Sequence, residues 1–286
     1  ITNLKNTNMG YTYSLSALFE KSFHFGLDLA ASYTFGHSKS VYDGTSSVAY
    51  SNWKYNYAVD SNNPGLAYSM FDIPHRVMVS VGYRTPRYAK GFMATTVSLV
   101  YNGYVGQRYS LTMNESYYDA EKKKTVYIDY NGDGWGGNSL LYIPTEDELQ
   151  KMDFKTEEDR RKFDEWIEGD SYAKKHRGAY AMRNSNSAPW ENRVDLHVAQ
   201  DIFVLKDRGS KFQVTFDVTN FANMLNKKWG TTYTAAYNVM PLQVIGSKKG
   251  EDGNYTNTYA YNSRNTITKN DVLSRWHAQI GFKYIF

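Results

Sequence analysis

The sequence predicts an all-β chain whose antiparallel strands cross a lipid bilayer as part of a β-barrel. Three observations point there. Segments of about ten residues alternate apolar and polar side chains with period two. The connections between them alternate between short and very long. Aromatic residues make up 16% of the 286 residues, with 26 Tyr against 21 Gly, yet mean hydropathy is −0.62. A chain so rich in aromatics is not disordered as a whole. Its low hydropathy does not count against a barrel, because only alternate residues of a membrane strand meet lipid.

Seven strands are expected in order. Tyr11, Tyr13, Leu15, Ala17 and Phe19 alternate with Thr12, Ser14, Ser16, Leu18 and Glu20. Leu27, Leu29, Ala31, Tyr33 and Phe35 alternate with Asp28, Ala30, Ser32, Thr34 and Gly36. Val77, Val79, Val81 and Tyr83 form the third apolar face, and Thr95, Val97, Leu99 and Tyr101 the fourth. Val194, Leu196, Val198, Ile202 and Val204 oppose Arg193, Asp195, His197 and Asp201. Phe212, Val214, Phe216 and Val218 oppose Lys211, Gln213, Thr215, Asp217 and Thr219. The seventh strand carries Trp276, Ala278, Ile280, Phe282, Tyr284 and Phe286 on one face, with Arg275, His277, Gln279, Gly281, Lys283 and Ile285 on the other. Charges on the polar faces would be costly in lipid but cheap in a wet lumen. Tyr and Trp suit the membrane–water boundary.

The connections near Lys21–Gly26, Thr85–Gly91 and Leu205–Ser210 are short, while those over Ser38–Pro74, Arg108–Glu191 and Ala222–Ser274 are very long. Short turns on one side and long loops on the other are the pattern of a bacterial outer-membrane barrel, with the C-terminus on the periplasmic side. Seven is an odd count, whereas single-chain bacterial barrels have even ones. The expectation is therefore a C-terminal piece of one barrel domain spanning 1–286, entering on the outer side near Ile1–Met9. No signal peptide and no apolar run of membrane-helix length is present.

The central loop is expected to contain two short helices, at 145–152 and 156–169. Thr145 with Glu148 and Thr156 with Asp159 read as capping starts, and Leu149, Met152, Phe163, Trp166 and Ile167 lie at helical spacing. They are expected to pack on the loop or the barrel rim. Asp129-Tyr130-Asn131-Gly132-Asp133-Gly134 resembles the start of a calcium loop, with Asp129, Asn131 and Asp133 as candidate ligands. Leu140 stands where a bidentate Glu is required, so a polar turn is the competing reading. Lys174, Lys175, His176 and Arg177 form a basic cluster that is either a solvated face or a contact for anionic lipid sugars.

Zero cysteines exclude disulfides and thiolate chemistry. The 33 Lys+Arg against 29 Asp+Glu are too balanced to suggest a nucleic-acid partner. The six histidines show no HExxH pairing, and no nucleophile elbow or P-loop occurs, so no enzymatic activity is expected.

Several segments in order carry a family resemblance. They are Leu66-Ala67-Tyr68-Ser69-Met70-Phe71-Asp72-Ile73-Pro74-His75-Arg76; Asn131-Gly132-Asp133-Gly134 running to Leu141-Tyr142-Ile143-Pro144; Lys175-His176-Arg177-Gly178; Ala188-Pro189-Trp190-Glu191-Asn192-Arg193-Val194-Asp195-Leu196; and Asp217-Val218-Thr219-Asn220-Phe221-Ala222-Asn223-Met224-Leu225-Asn226. With the aromatic terminus, the chain resembles the C-terminal part of a TonB-dependent outer-membrane receptor of the SusC/Oar-like kind common in Bacteroidetes. The resemblance implies a barrel of about 22 strands closed by an N-terminal plug. It implies energy-coupled import of a large solute through TonB, and a surface lipoprotein lid for SusC-like members. It also implies that Trp276, Ile280, Phe282, Tyr284 and Phe286 are read by the outer-membrane assembly machinery, although a closing strand needs the same apolar face.

Loop aromatics, among them Trp53, Tyr55, Tyr57, Tyr127, Trp135 and Tyr142, are candidates for stacking on sugar rings or peptide side chains, or for packing the loops. Trp53, Tyr127, Trp135 and Tyr142 are the ligand-binding expectations. The alternatives are a passive porin or surface adhesin on a barrel, and a soluble β-sandwich carbohydrate-binding module.

Overall fold

A computed structural model of the chain describes residues 5–204, 210–234, 238–251, 253–263 and 267–286. Seven long strands follow the predicted alternation: β1 (Gly10–Ser22), β2 (Leu27–Ser40), β3 (His75–Arg84), β4 (Met93–Tyr104), β5 (Glu191–Phe203), β6 (Lys211–Thr219) and β7 (His277–Ile285). They pair antiparallel, each with its sequence neighbour, in one continuous sheet. The short pair Ala67–Tyr68 joins β2 at its loop end.

Register explains why the alternation matters. Leu15 pairs with Phe35 and Phe19 with Ala31. Ala31 pairs with Val79 and Leu29 with Val81. Val81 meets Leu99 and Val79 meets Tyr101. Leu99 meets Leu196, Leu196 meets Val218, and Phe216 meets Ile280. One apolar face therefore runs unbroken across all seven strands, and a slip by one residue anywhere would turn a strand inside out. The opposite face carries Ser16, Thr34, Ser80, Ser98, His197, Asp217 and Gln279. Tyr and Trp gather toward the loop end of the apolar face (Tyr11, Tyr13, Tyr33, Tyr101, Trp190, Trp276), and Phe23, Phe25, Tyr83, Tyr88, Phe212, Tyr284 and Phe286 toward the turn end.

The first turn closes over Phe23–Gly26, where the Phe23 N–H donates to the Leu27 carbonyl at 2.8 Å. Gly26 is required there: its φ is +92°, and a Cβ would lie 2.2 Å from the Arg84 carbonyl oxygen. The second is tied by Tyr88 and Met93. The third, expected at Leu205–Ser210, lies outside the described residues except for Ser210, which accepts from the Val204 N–H at 2.9 Å.

The apolar strand face is open: all 13 residues of β1 are exposed and Phe282 is 78% exposed. The hydrophobic core lies instead in the loops. Leu111, Leu141, Ile143, Leu149, Phe163, Ile167, Val239 and Leu242 pack together there. The helices α1 (Ala49–Lys54), α2 (Glu146–Lys151), α3 (Glu157–Gly169) and α4 (Phe221–Leu225) also belong to the loops. For α2 and α3 the expected capping holds. Thr145 accepts from the Glu148 N–H while Glu148 accepts from the Thr145 N–H at 2.9 Å, and Thr156 accepts from the Asp159 N–H at 3.1 Å. Phe163 and Ile167 of α3 are buried, so these helices pack within the loop assembly. A hairpin from the last long loop, Leu242–Lys249 with Tyr255–Tyr261, reaches across to pair with Asp153–Phe154. Among the described residues no helix is long and apolar enough to cross a membrane.

Candidate functional site

The three long connections leave the sheet at one end, and contacts far apart in sequence bind them together. Asp72, buried at the foot of the first loop, accepts from the Ser38 N–H at 2.6 Å and from Arg108 Nη2 and Nε at 2.6 and 3.0 Å. The Arg108 guanidinium lies over the Tyr68 ring at 4.1 Å. This pair clamps the first and second loops onto the mouth of the sheet. Breaking a buried ion pair leaves its partner charged and unsolvated, so the clamp is costly to open. Asp72 stands in the segment that carries the family resemblance, and neither it nor Arg108 had an expected role.

The first loop also docks on the second through Ser61, which donates to Asp133 at 2.6 Å, and through the Ala58 N–H, which donates to the Asn138 carbonyl at 3.0 Å. Between the first loop and the N-terminal segment lies a cavity of ≈ 720 Å³ lined by Lys5, Asn6, Tyr42, Tyr50, Trp53 and Asn62 among others. A second, of ≈ 430 Å³, shares Tyr42, Asn52 and Asn56 with it and adds Tyr55, Arg183 and Asn184. Tyr50 and Trp53 stack at 5.8 Å. Such walls offer flat apolar rings and amides that both donate and accept, the equipment for a large neutral polar solute. Burial pushes the Arg183 guanidinium pKa down, against the nearby Asp43 carboxylate, which raises it. Arg183 spends its donors on Asn56 and, at 2.6 Å, on the Ser40 carbonyl, so it fixes the wall.

Of the four aromatics expected to bind ligand, Trp53 lines the larger cavity. Trp135 stands beside α1 with the Lys54 ammonium 3.4 Å from its ring centre, so one face of its indole is occupied. Tyr142 donates to Glu148 at 2.9 Å and packs edge-on against Tyr180 at 5.1 Å. Tyr127 is exposed on the hairpin Ser116–Asp119 with Lys124–Tyr127. The four are not brought into one site.

Asp129, Asn131 and Asp133 form a turn that binds its own backbone. Asp129 accepts from the Gly134 N–H at 2.7 Å and Asp133 from the Trp135 N–H at 2.6 Å. Burial raises the Asp133 carboxyl, but hydrogen bonds from Ser61, Asn138, the Trp135 N–H and Asn131 outweigh it and hold the pKa below the usual range. These carboxylate oxygens are engaged by donors of the loop itself, as in a polar turn. In the basic cluster, Arg177 pairs with Glu168 at 2.8 Å and His176 stacks on Tyr172 at 3.9 Å, so part of it is spent internally.

On the polar sheet face, Asp201 accepts from Arg84 at 2.8 Å, Lys211 at 2.7 Å and Gln213 at 2.8 Å near the turn end. His197 pairs with Asp217 across β5 and β6. At the loop end the Asn220 N–H donates to Asp195 at 2.7 Å.

An antiparallel sheet with one unbroken apolar face, one charged face, and its long loops at a single end defines a membrane protein of the outer-membrane barrel class. The chain belongs to the family described as an outer membrane beta barrel domain, whose model matches residues 1–275. No curated protein and no solved structure matches the chain.

Proposed function

We propose that the chain is the C-terminal part of a transporter barrel that imports a large solute across the outer membrane with energy supplied through TonB. Further strands and a plug upstream complete it, and its C-terminus faces the periplasm. The observation that carries this reading is the folded loop assembly at one end of the sheet, with aromatic and amide-lined cavities of ≈ 720 and ≈ 430 Å³. A receptor needs such a structure to capture solute before transfer. On this reading the solute rests against Trp53 and Tyr50, and exchanges water for the amides of Asn52, Asn56 and Asn62. It then passes along the polar face formed by Ser98, His197 and Asp217. A surface lipoprotein would close over the same loops.

The β1 and β7 edges support the need for more strands: each pairs with one neighbour among the described residues. Unpaired backbone groups cost several kcal/mol each in lipid. Uptake of candidate glycans and peptides by cells carrying the full-length protein, with and without TonB, tests the proposal. Uptake lost with TonB supports it. Uptake that persists without TonB would identify a passive porin instead.

A further inference from the structure

Two segments at the loop end of β6 and β7 are pinned together by one residue. Asn220 adopts a left-handed φ of 56°, and its side-chain amide donates to the Gly230 and Ser274 carbonyls, both at 2.8 Å. Gly230 cannot carry a side chain there, since a Cβ would lie 1.9 Å from Asn220 Oδ1. Ser274 completes the joint by accepting from the Thr232 N–H at 2.9 Å.

The joined segments hold five large apolar side chains in the open: Leu225, Trp229, Val272, Leu273 and Trp276, with Val272 67% and Trp229 56% exposed. Leu141, Ile143 and Phe163 show the other fate of large apolar loop side chains, packed in the loop core, whereas Phe71 and Ile73 of the first loop are also exposed but have no comparable cluster of cations in their segment. The same segments expose Lys227, Lys228, Lys269 and Arg275 against the single carboxylate Asp271. The Lys269 ammonium reaches the Lys227 carbonyl at 3.1 Å, which draws the two cationic segments together. Trp276 has the same parity as Ala278 and Ile280, so it continues the lipid face of β7 past its end and joins that face to the patch.

We propose that this patch binds a phosphate-bearing lipid of the leaflet in which the loop end sits. Apolar side chains enter the acyl boundary while Lys227, Lys228, Lys269 and Arg275 hold the phosphate. Exposed apolar residues ringed by cations are the physical basis of attachment to an anionic lipid surface. The proposal rests on the membrane reading of the strands, and not on TonB coupling or on which leaflet is outer.

The test uses the full-length protein in phosphatidylcholine nanodiscs, with tryptophan fluorescence quenched by brominated phosphatidylglycerol or by brominated phosphatidylcholine at equal mole fraction. The anionic lipid should be enriched at the patch on the order of tenfold, and so quench more. The combined K227Q, K228Q, K269Q and R275Q variant should abolish the difference while phosphatidylcholine quenching stays. K228Q with R275Q alone, which spares the Lys269 contact, should reduce it. K174Q with K175Q, in the other basic cluster, should leave it intact. Added inorganic phosphate should not erase it; erasure would point to a free-phosphate site and overturn the proposal. Equal quenching by the two lipids, or a preference that survives the fourfold variant, would also overturn it. Absence of quenching by either lipid would remove the membrane reading and the proposal with it.

Discussion

Glu115 is 4% exposed and lies where the central loop folds back on itself. Burial is the largest influence on its carboxyl and raises its pKa, outweighing hydrogen bonds from Ser139 and the Gly137 N–H. A folded-state value above the unfolded one means that the folded loop binds more protons through that window. Stability is then full below the ordinary carboxylate range and falls as pH rises through the raised value. Hydrogen exchange of the central loop should show protection falling over that window, and Glu115→Gln should flatten the dependence. A dependence unchanged in that variant would assign it to another group. On the sheet, Asp201 holds Arg84 and Lys211 together. Asp201→Asn should lower unfolding stability in detergent by roughly 1–3 kcal/mol, toward the lower end because Arg84 is half exposed and screened. Little of this was legible in sequence. Asp201 was expected on the polar face, but its partners depend on register, and the Asp72–Arg108 clamp joins residues with no local pattern between them.

At the scale of elements, legibility follows locality. The strands could be read because the two-residue period is printed in every one of them. The starts of α2 and α3 could be read because a capping box spans four residues. Thr145→Ala and Thr156→Ala should each cost about 1 kcal/mol, seen as faster exchange in the first turn of each helix. Phe163→Ala should cost about 3–5 kcal/mol and release the central loop core while the strands stay protected; loss of both together would mean that loops and sheet fold as one unit. The hairpin Leu242–Lys249 with Tyr255–Tyr261 was not foreseen, since polar residues and a glycine interrupt its faces (Asn257 among the tyrosines, Gly246 and Lys248 after Leu242 and Val244) and its partner Asp153–Phe154 is about a hundred residues away. The cavity walls were hidden for the same reason: Arg183 meets Asn56 across 127 residues, and Trp53 was recognised only as an aromatic in a loop. At the end of β7, Phe282 and Tyr284 continue the face of Val214 and Phe212. Deleting Phe286 should lower the yield of assembled full-length barrel; normal yield would free that residue from an assembly role.

For the molecule as a whole, burial is inverted relative to a water-soluble β-protein. The long strands leave their apolar face open, and the loops hold the core. That arrangement is stable only where lipid covers the strands, which is why mean hydropathy alone misleads. The chain contains no cysteine, so single cysteines placed in it can report on each face, in a full-length protein whose other cysteines, if any, are replaced by serine. Along β4, cysteines placed one at a time from Thr96 to Tyr101 in the membrane-inserted protein should alternate in reaction with a charged, water-soluble thiol reagent. Positions 96, 98 and 100 should react from a wet lumen, and positions 97, 99 and 101 should be protected by lipid. Uniform reaction at all six positions, or protection at the even ones, would contradict a membrane-spanning sheet with a polar interior.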